Sequence, residues 1–215
     1  TKKWDDANNQ DGLRPKEIRV QLYAGDQKLG KEVVLSADNK WTHTFEKLAE
    51  KANGQDIHYS VKEVDVPEGY TVTEESKEKG DVILTNTHTP RTVDIPVTKI
   101  WVDNDNQDGL RPAKITVKLL ANGVEVARKD ITSETDWKET FTGLPKFKDG
   151  KEIVYTLQEE KVENYSPSID QESYTITNTH TPGKTTLSVT KQWDDQEDKD
   201  GLRPKSVKVQ LYADG

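Results

Sequence analysis

At 215 residues, with a formal net charge of −8 and 31% hydrophobic against 33% charged residues, the chain is too polar for one large core and suits small modules with thin cores. The acidic balance argues against nucleic acid or an anionic membrane as a partner, because both are bound by clustered Lys and Arg. Neither cysteine nor methionine occurs, which excludes disulfides, zinc–thiolate sites and cysteine nucleophiles, and the sequence is expected to be an excerpt of a longer chain.

In chain order, period-two alternation predicts strands near 1–4, 17–24, 31–36, 40–46, 57–64, 69–74 and 81–87. Between them FEKLAEKANG, at 45–54, predicts a short helical turn. The pattern then restarts, with strands near 94–102, 113–120, 124–131, 136–142, 152–160, 164–169 and 173–179. A last stretch, 184–215, predicts two more strands. Asp-Gly pairs at 11–12, 108–109, 149–150 and 200–201, and Pro-Glu-Gly at 67–69, supply turns. No apolar run approaches the ~20 residues of a membrane span.

The restart is a repeat. TKKWDDANNQDGLRP at 1–15 returns as TKIWVDNDNQDGLRP at 98–112 and as TKQWDDQEDKDGLRP at 190–204. ILTNTHTP at 83–90 returns as TITNTHTP at 175–182. Two near-complete modules, 1–91 and 92–183, are therefore expected, followed by the N-terminal part of a third at 184–215. Seven short strands per module read as a β-sandwich. The junctions HTPRTV and HTPGKT are short and carry a proline, so the all-β modules are expected to form an elongated array with semi-rigid links.

Residues i, i+2 and i+4 of a strand share a face. In module 2 that rule aligns Ile95, Val97, Lys99 and Trp101; Ile153, Tyr155, Leu157 and Glu159; and Tyr174, Ile176 and Asn178. Module 1 repeats it with Lys2 and Trp4, with Ile57, Tyr59, Val61 and Glu63, and with Val82, Leu84 and Asn86. In the last segment Leu187, Val189, Lys191 and Trp193 are in phase. A Lys, a Glu and an Asn are thus each expected to face a core, where an unpaired charge is costly. Glu160 and Lys3 are out of phase and are poorer candidates.

Two accounts of such a triad are open. One is a buried Lys–Glu ion pair with Asn as a hydrogen-bonding neighbour. The other is chemistry among the three: burial lowers the Lys pKa and raises that of Glu, so that a neutral amine attacks the Asn amide carbon while Glu relays protons and ammonia leaves. The resulting isopeptide bond removes the buried charge and supplies the staple that cysteine does not.

The T-K-x-W opening, the D-G-L-R-P turn, the Glu within YSVKEVDVPEGY at 59–70 and the T-N-T-H-T-P ending resemble the Cna B-type repeats of collagen adhesins, pilins and other Gram-positive cell-wall-anchored proteins. The resemblance implies a β-sandwich whose first and last strands are joined by a Lys–Asn bond promoted by the Glu. Carried over by position, the triads are Lys2, Glu63, Asn86 and Lys99, Glu159, Asn178, with Lys191 as an unpaired equivalent. It also implies an extracellular, wall-anchored location, with signal peptide and anchor outside this segment. No cofactor is implied. Val162-Glu163-Asn164-Tyr165 stands where module 1 has Pro67-Glu68-Gly69-Tyr70, so the turn after Glu159 is expected to differ.

The Asp/Asn-rich loops resemble half of a calcium-binding loop. Ile115 falls where the twelfth ligand belongs and Ala7 where the first does, so an Asx-rich turn is the better reading. Trp4, Trp101 and Trp193 are in phase with the lysines and are read as packing residues that keep them dry, while His88 and His180 are read as solvated linker residues. No Ser-His-Asp or phosphate-loop pattern occurs, so no turnover enzyme is expected. Two function classes remain, a structural stalk that projects other domains toward host matrix and a module that binds a host ligand itself. The chain is expected to be mainly monomeric, with strand exchange open through 184–215.

Overall fold

The computed structural model describes residues 1–76 and 80–213. It divides into two compact units, Thr1–Thr181 and Pro182–Gly215. The first unit contains two sets of strands. In the first set, β1 (Lys2–Asp5), β2 (Glu17–Ala24), β3 (Gln27–Ser36), β4 (Lys51–Ala52), β5 (Gln55–Asp56), β6 (Tyr59–Glu63), β7 (Thr71–Ser76) and β8 (Val82–Thr87) follow in order. In the second come β9 (Thr92–Val102), β10 (Lys114–Ala121), β11 (Val124–Thr132), β12 (Lys138–Pro145), β13 (Phe147–Lys148), β14 (Lys151–Glu152), β15 (Tyr155–Glu159), β16 (Ser166–Asp170) and β17 (Thr175–Thr179).

Each set forms two facing sheets. In module 2 the orders are β12-β9-β17-β16 and β11-β10-β15; in module 1 they are β1-β8-β7 and β3-β2-β6. The first and last strands of each module are adjacent and parallel, β1 on β8 and β9 on β17. The apolar residues of the alternating stripes meet between the sheets: Ile95, Val97, Ile115, Val117, Leu119, Ile131, Phe141, Leu157 and Ile176 are buried in module 2. Module 1 buries a smaller set around Ile18, Val20, Leu35 and Leu84. At ~1.5–3 kcal/mol for each fully buried aliphatic side chain, these stripes are the main source of stability.

Three expectations are corrected. Residues 45–54 form no helical turn; β4 and β5 make a hairpin there. Its tip, Asn53-Gly54, takes φ of +48° and +79°, the left-handed pair that a two-residue hairpin requires. Residues 40–46 form no strand, although the equivalent β12 does. β12 pairs with Thr92–Thr98, the part of β9 ahead of Lys99, whereas β1 starts at Lys2 and offers one bond, from its Lys2 N–H to Trp41 O at 2.7 Å. The two strands expected within 184–215 are absent from the described residues of the second unit, and Leu187, Val189, Val207 and Val209 are exposed. Two strands without a facing sheet cannot bury their apolar side chains.

Candidate functional site

Parallel pairing places each lysine beside its asparagine. In module 1 the register sets Lys2 opposite Leu84 and Trp4 opposite Asn86; in module 2 it sets Lys99 opposite Ile176 and Trp101 opposite Asn178. Lys and Asn are therefore diagonal neighbours on one face of adjacent strands, within reach of a long side chain. The glutamates arrive from the facing sheet at the ends of β6 and β15, where Glu63 pairs with Val20 and Glu159 with Val117.

All three groups are taken out of water. Lys2 and Lys99 are each 4% exposed and Asn86 and Asn178 are fully buried. The Lys99 ammonium lies 3.4 Å from Glu159 Oε1, with both side chains almost wholly buried. The Asn178 amide donates Nδ2–H to that same oxygen at 3.1 Å, and Asn86 donates to Glu63 Oε1 at 2.9 Å. Lys2 donates Nζ–H to Lys3 O at 2.7 Å and to Leu84 O at 3.4 Å. Each ammonium also sits over an indole, 4.2 Å from the Trp4 ring and 4.3 Å from that of Trp101. Lys3, out of phase, is exposed, and Glu160 turns outward to Lys118 and Arg128.

Burial dominates the electrostatics. Loss of hydration lowers Lys2 and Lys99 from 10.5 to about 8, against the opposing pull of the Glu63 and Glu159 charges. Burial raises Glu63, against the Asn86 hydrogen bond and the Lys2 charge. Asn86 Oδ1, Asn178 Oδ1 and Glu63 Oε2 are buried with no hydrogen-bond partner. The amide thus points its N–H at the carboxylate, the reverse of the Glu-to-carbonyl hydrogen bond that the chemistry requires. An ionised carboxylate only accepts, so the amide turns its donor toward it; a protonated Glu would favour the flipped amide.

One part of the site was not assigned from sequence. Asp6, buried behind Trp4, accepts two hydrogen bonds from Arg14, at 3.0 and 2.5 Å, and one from the Tyr70 hydroxyl at 2.8 Å. Asp103 does the same with Arg111 and Tyr165. The arginines lie over the outer side of the same indoles, 5.4 Å from Trp4 and 5.5 Å from Trp101. Trp41 and Trp137 meet those indoles edge-on at 5.2 and 5.1 Å. A polar latch and an aromatic pair thus hold each tryptophan over its lysine. The Arg of D-G-L-R-P and the Tyr of the following turn were in the repeated motif, but nothing in their spacing gave them a common partner.

The loops themselves are Asx turns: Asn9 N–H donates to Asp6 Oδ1 at 2.9 Å and Arg14 N–H to Asn9 Oδ1 at 2.8 Å, with the same bonds at Asn106 and Arg111. His88 is not a solvated linker residue. Its side chain is 10% exposed, and its ring bonds Gly69 O at 2.8 Å and Asp11 Oδ2 at 3.0 Å. His180 bonds Asn164 O and Asp108 in the same way. The third lysine of the repeated motif, Lys191, is exposed, lies over Trp193 and donates to Gln192 O.

The family model described as Cna protein B-type domain matches residues 1–87, 95–179 and 187–215. Over all 215 residues the chain is 50% identical to a collagen adhesin of Staphylococcus aureus, of whose length it spans 18%. Among solved structures, two B repeat units (B1B2) of the collagen binding protein of S. aureus match with a TM-score of 0.79 at 49% identity. That match covers 95% of this chain and 54% of the other.

Proposed function

The chain belongs to the Cna protein B-type domain family, and on that premise we propose that it is a stalk segment of a surface adhesin whose modules, 1–91 and 92–183, each staple themselves with a Lys–Asn isopeptide bond. Residues 184–215 begin a third module. The observation that carries this reading is the burial, in both modules, of an amine, a carboxyl group and an amide whose carbonyl oxygen has no hydrogen-bond partner.

The step balances within the chain. The neutral Lys amine adds to the Asn side-chain carbonyl carbon. Glu63 or Glu159, protonated, donates to the carbonyl oxygen as charge develops there, then moves the amine proton to the departing nitrogen. A C–N bond to lysine forms, the Asn C–N bond breaks, and ammonia leaves. Each event occurs once, with no substrate and no turnover. Two buried charges are replaced by a neutral amide. By analogy with a disulfide closing a loop of similar length, the bond removes on the order of 4–5 kcal/mol of denatured-state entropy.

Stalk function follows from where the bond lies. It ties the first strand of a module to the last, so load entering at one end leaves through the next strand. Contact with host matrix is assigned to other domains of the parent protein, and the segment lies outside the cell, held by a wall anchor beyond this sequence. The deciding experiment is intact-protein mass spectrometry under denaturing conditions. The expected mass is the sequence mass less one ammonia per complete module; the uncorrected sequence mass would leave only the ion pair. Saturable, loop-dependent capture of a host matrix protein by this chain alone would favour a binding module over a stalk.

A further inference from the structure

Where module 1 meets module 2, both nitrogens of the His88 ring face acceptors. Nδ1 stands 2.8 Å from Gly69 O and Nε2 stands 3.0 Å from Asp11 Oδ2. The Asp11 side chain is 1% exposed, and the same Oδ2 accepts from Arg91 N–H at 3.0 Å and from Arg91 Nε–H at 3.1 Å. Burial opposes its charge, but the His88 and Arg91 hydrogen bonds hold Asp11 below the ordinary carboxylate range. An ionised carboxylate and a main-chain carbonyl can only accept. Each ring nitrogen must therefore carry a hydrogen, and His88 is an imidazolium.

That carboxylate holds the contact between the modules. Gly12, the next residue, packs on Gly150 at the tip of the β13–β14 hairpin, so closely that a Cβ on Gly12 would stand 2.5 Å from Gly150 Cα. Gly150 N–H donates to Gln10 O at 3.0 Å. On the linker side, the Arg91 guanidinium stacks 4.3 Å over Phe147, and Arg91 O accepts from Lys146 N–H at 2.9 Å. Asp11 thus ties the turn of module 1 and the linker to the hairpin of module 2.

The groups around the ring come from four segments. The turn supplies Asp11 and the linker supplies Arg91, whose positive charge opposes that of His88. The segment 67–70 supplies Gly69 O and the Tyr70 ring, 5.4 Å from His88, with its hydroxyl turned to Asp6. Burial keeps that hydroxyl protonated, well above its usual value. The end of β1 supplies Asp5 O, which accepts from the His88 main-chain N–H at 2.8 Å. The Asp5 and Glu68 side chains are exposed.

We propose that a charged His88 closes the joint between modules 1 and 2, and that loss of its second proton lets the two turn against each other, so that pH sets the stiffness of the pair. A neutral ring keeps one N–H. It bonds either Gly69 O or Asp11, and its bare nitrogen then sets a lone pair against the other acceptor. Asp11, still buried and charged, loses one of two cations and is drawn toward water, taking Gly12 away from Gly150. The hydrogen bond to Asp11 raises the ring above 6.5, against burial. The stabilisation is therefore complete below pH 6.5 and is lost as pH rises through the raised value. The isopeptide bonds play no part in this.

Residual dipolar couplings of the isotope-labelled chain test it, with the His88 ring nitrogen shifts read in the same samples. Below pH 6.5 modules 1 and 2 are expected to share one alignment tensor and His88 to carry both protons. As pH rises the tensors are expected to separate in a one-proton transition with the midpoint of the ring. Asp11→Asn removes the facing charge and is expected to lower both midpoints together, toward 6.5. His88→Gln does not titrate and is expected to abolish the pH response. It keeps Lys2, Lys99 and His180, so a response surviving in it would place the switch elsewhere and overturn the proposal. A neutral His88 below pH 6.5 in the native chain, one tensor unchanged through the His88 titration, or a ring midpoint that moves in Asp11→Asn without the tensor transition would also overturn it.

Discussion

Asn86 donates Nδ2–H to Glu63 Oε1 at 2.9 Å, and that one hydrogen bond leaves the amide carbonyl oxygen buried without a partner. Asn178 and Glu159 repeat it at 3.1 Å. A carbonyl in that state is poorly stabilised in the ground state and gains most from any proton donor brought to it, which makes the glutamate the group to perturb.

Glu63→Ala and Glu159→Ala are each expected to slow bond formation in their own module by at least ~100-fold, the lower range for a positioned acid. Denatured mass is expected to show one ammonia retained per substituted module, while circular dichroism shows both modules folded. Loss of ammonia at the native rate in either variant would remove the glutamate from the chemistry.

An uncross-linked module keeps its lysine titratable. In Asn178→Ala, Lys99 has a folded pKa of about 8 against 10.5 unfolded. Below pH 8 both states hold the proton and the folded state bears the full cost of a buried ammonium. Between about pH 8 and 10.5 the unfolded state binds more protons, so stability rises with pH by at most ~1.4 kcal/mol per unit. Urea denaturation across that window is expected to show the rise in Asn178→Ala and not in Lys99→Ala, which has no amine to titrate.

The Asp103 latch should matter independently of the cross-link. Asp103→Ala strands the Arg111 guanidinium and the Tyr165 hydroxyl, and is expected to cost ~3–5 kcal/mol, as for a buried pair losing one partner. Tyr165→Phe is expected to cost ~1–2 kcal/mol. Both are best measured by denaturant unfolding in Lys99→Ala, where no bond masks the loss. Burial opposes them, but the Arg111, Asn106 and Tyr165 hydrogen bonds hold Asp103 well below the ordinary carboxylate range. Its contribution is therefore full above about pH 4 and disappears only as pH falls toward that depressed value.

Force should distinguish the two states of the site. β9 and β17 are adjacent and parallel, with Lys99 and Asn178 two residues out of register. Joined, they carry load directly and shield everything between them. Single-molecule pulling of the native chain is expected to show almost no contour-length gain from module 2, and Lys99→Ala is expected to restore the extension of the residues between 99 and 178. Full extension of the native module would exclude a covalent tie.

The alternating stripes, the internal repeat and the phase of Lys2, Glu63 and Asn86 were legible in the sequence, because strand periodicity forces residues two apart onto one face whatever lies opposite. That the three share a core is a matter of strand order. Parallel pairing of β1 with β8 and the facing of β6 bring together residues 2, 63 and 86, and local pattern fixes none of those partners. Tertiary structure alone decided that 40–46 forms no strand while 138–145 does, since a ladder exists only where another strand supplies its bonds. It also decided that Asp6, Arg14 and Tyr70 converge around Trp4, and that His88 bonds Gly69 O and the Asp11 carboxylate. Such contacts join side chains far apart in sequence, so they are set by which surfaces come together and not by any residue's own propensity.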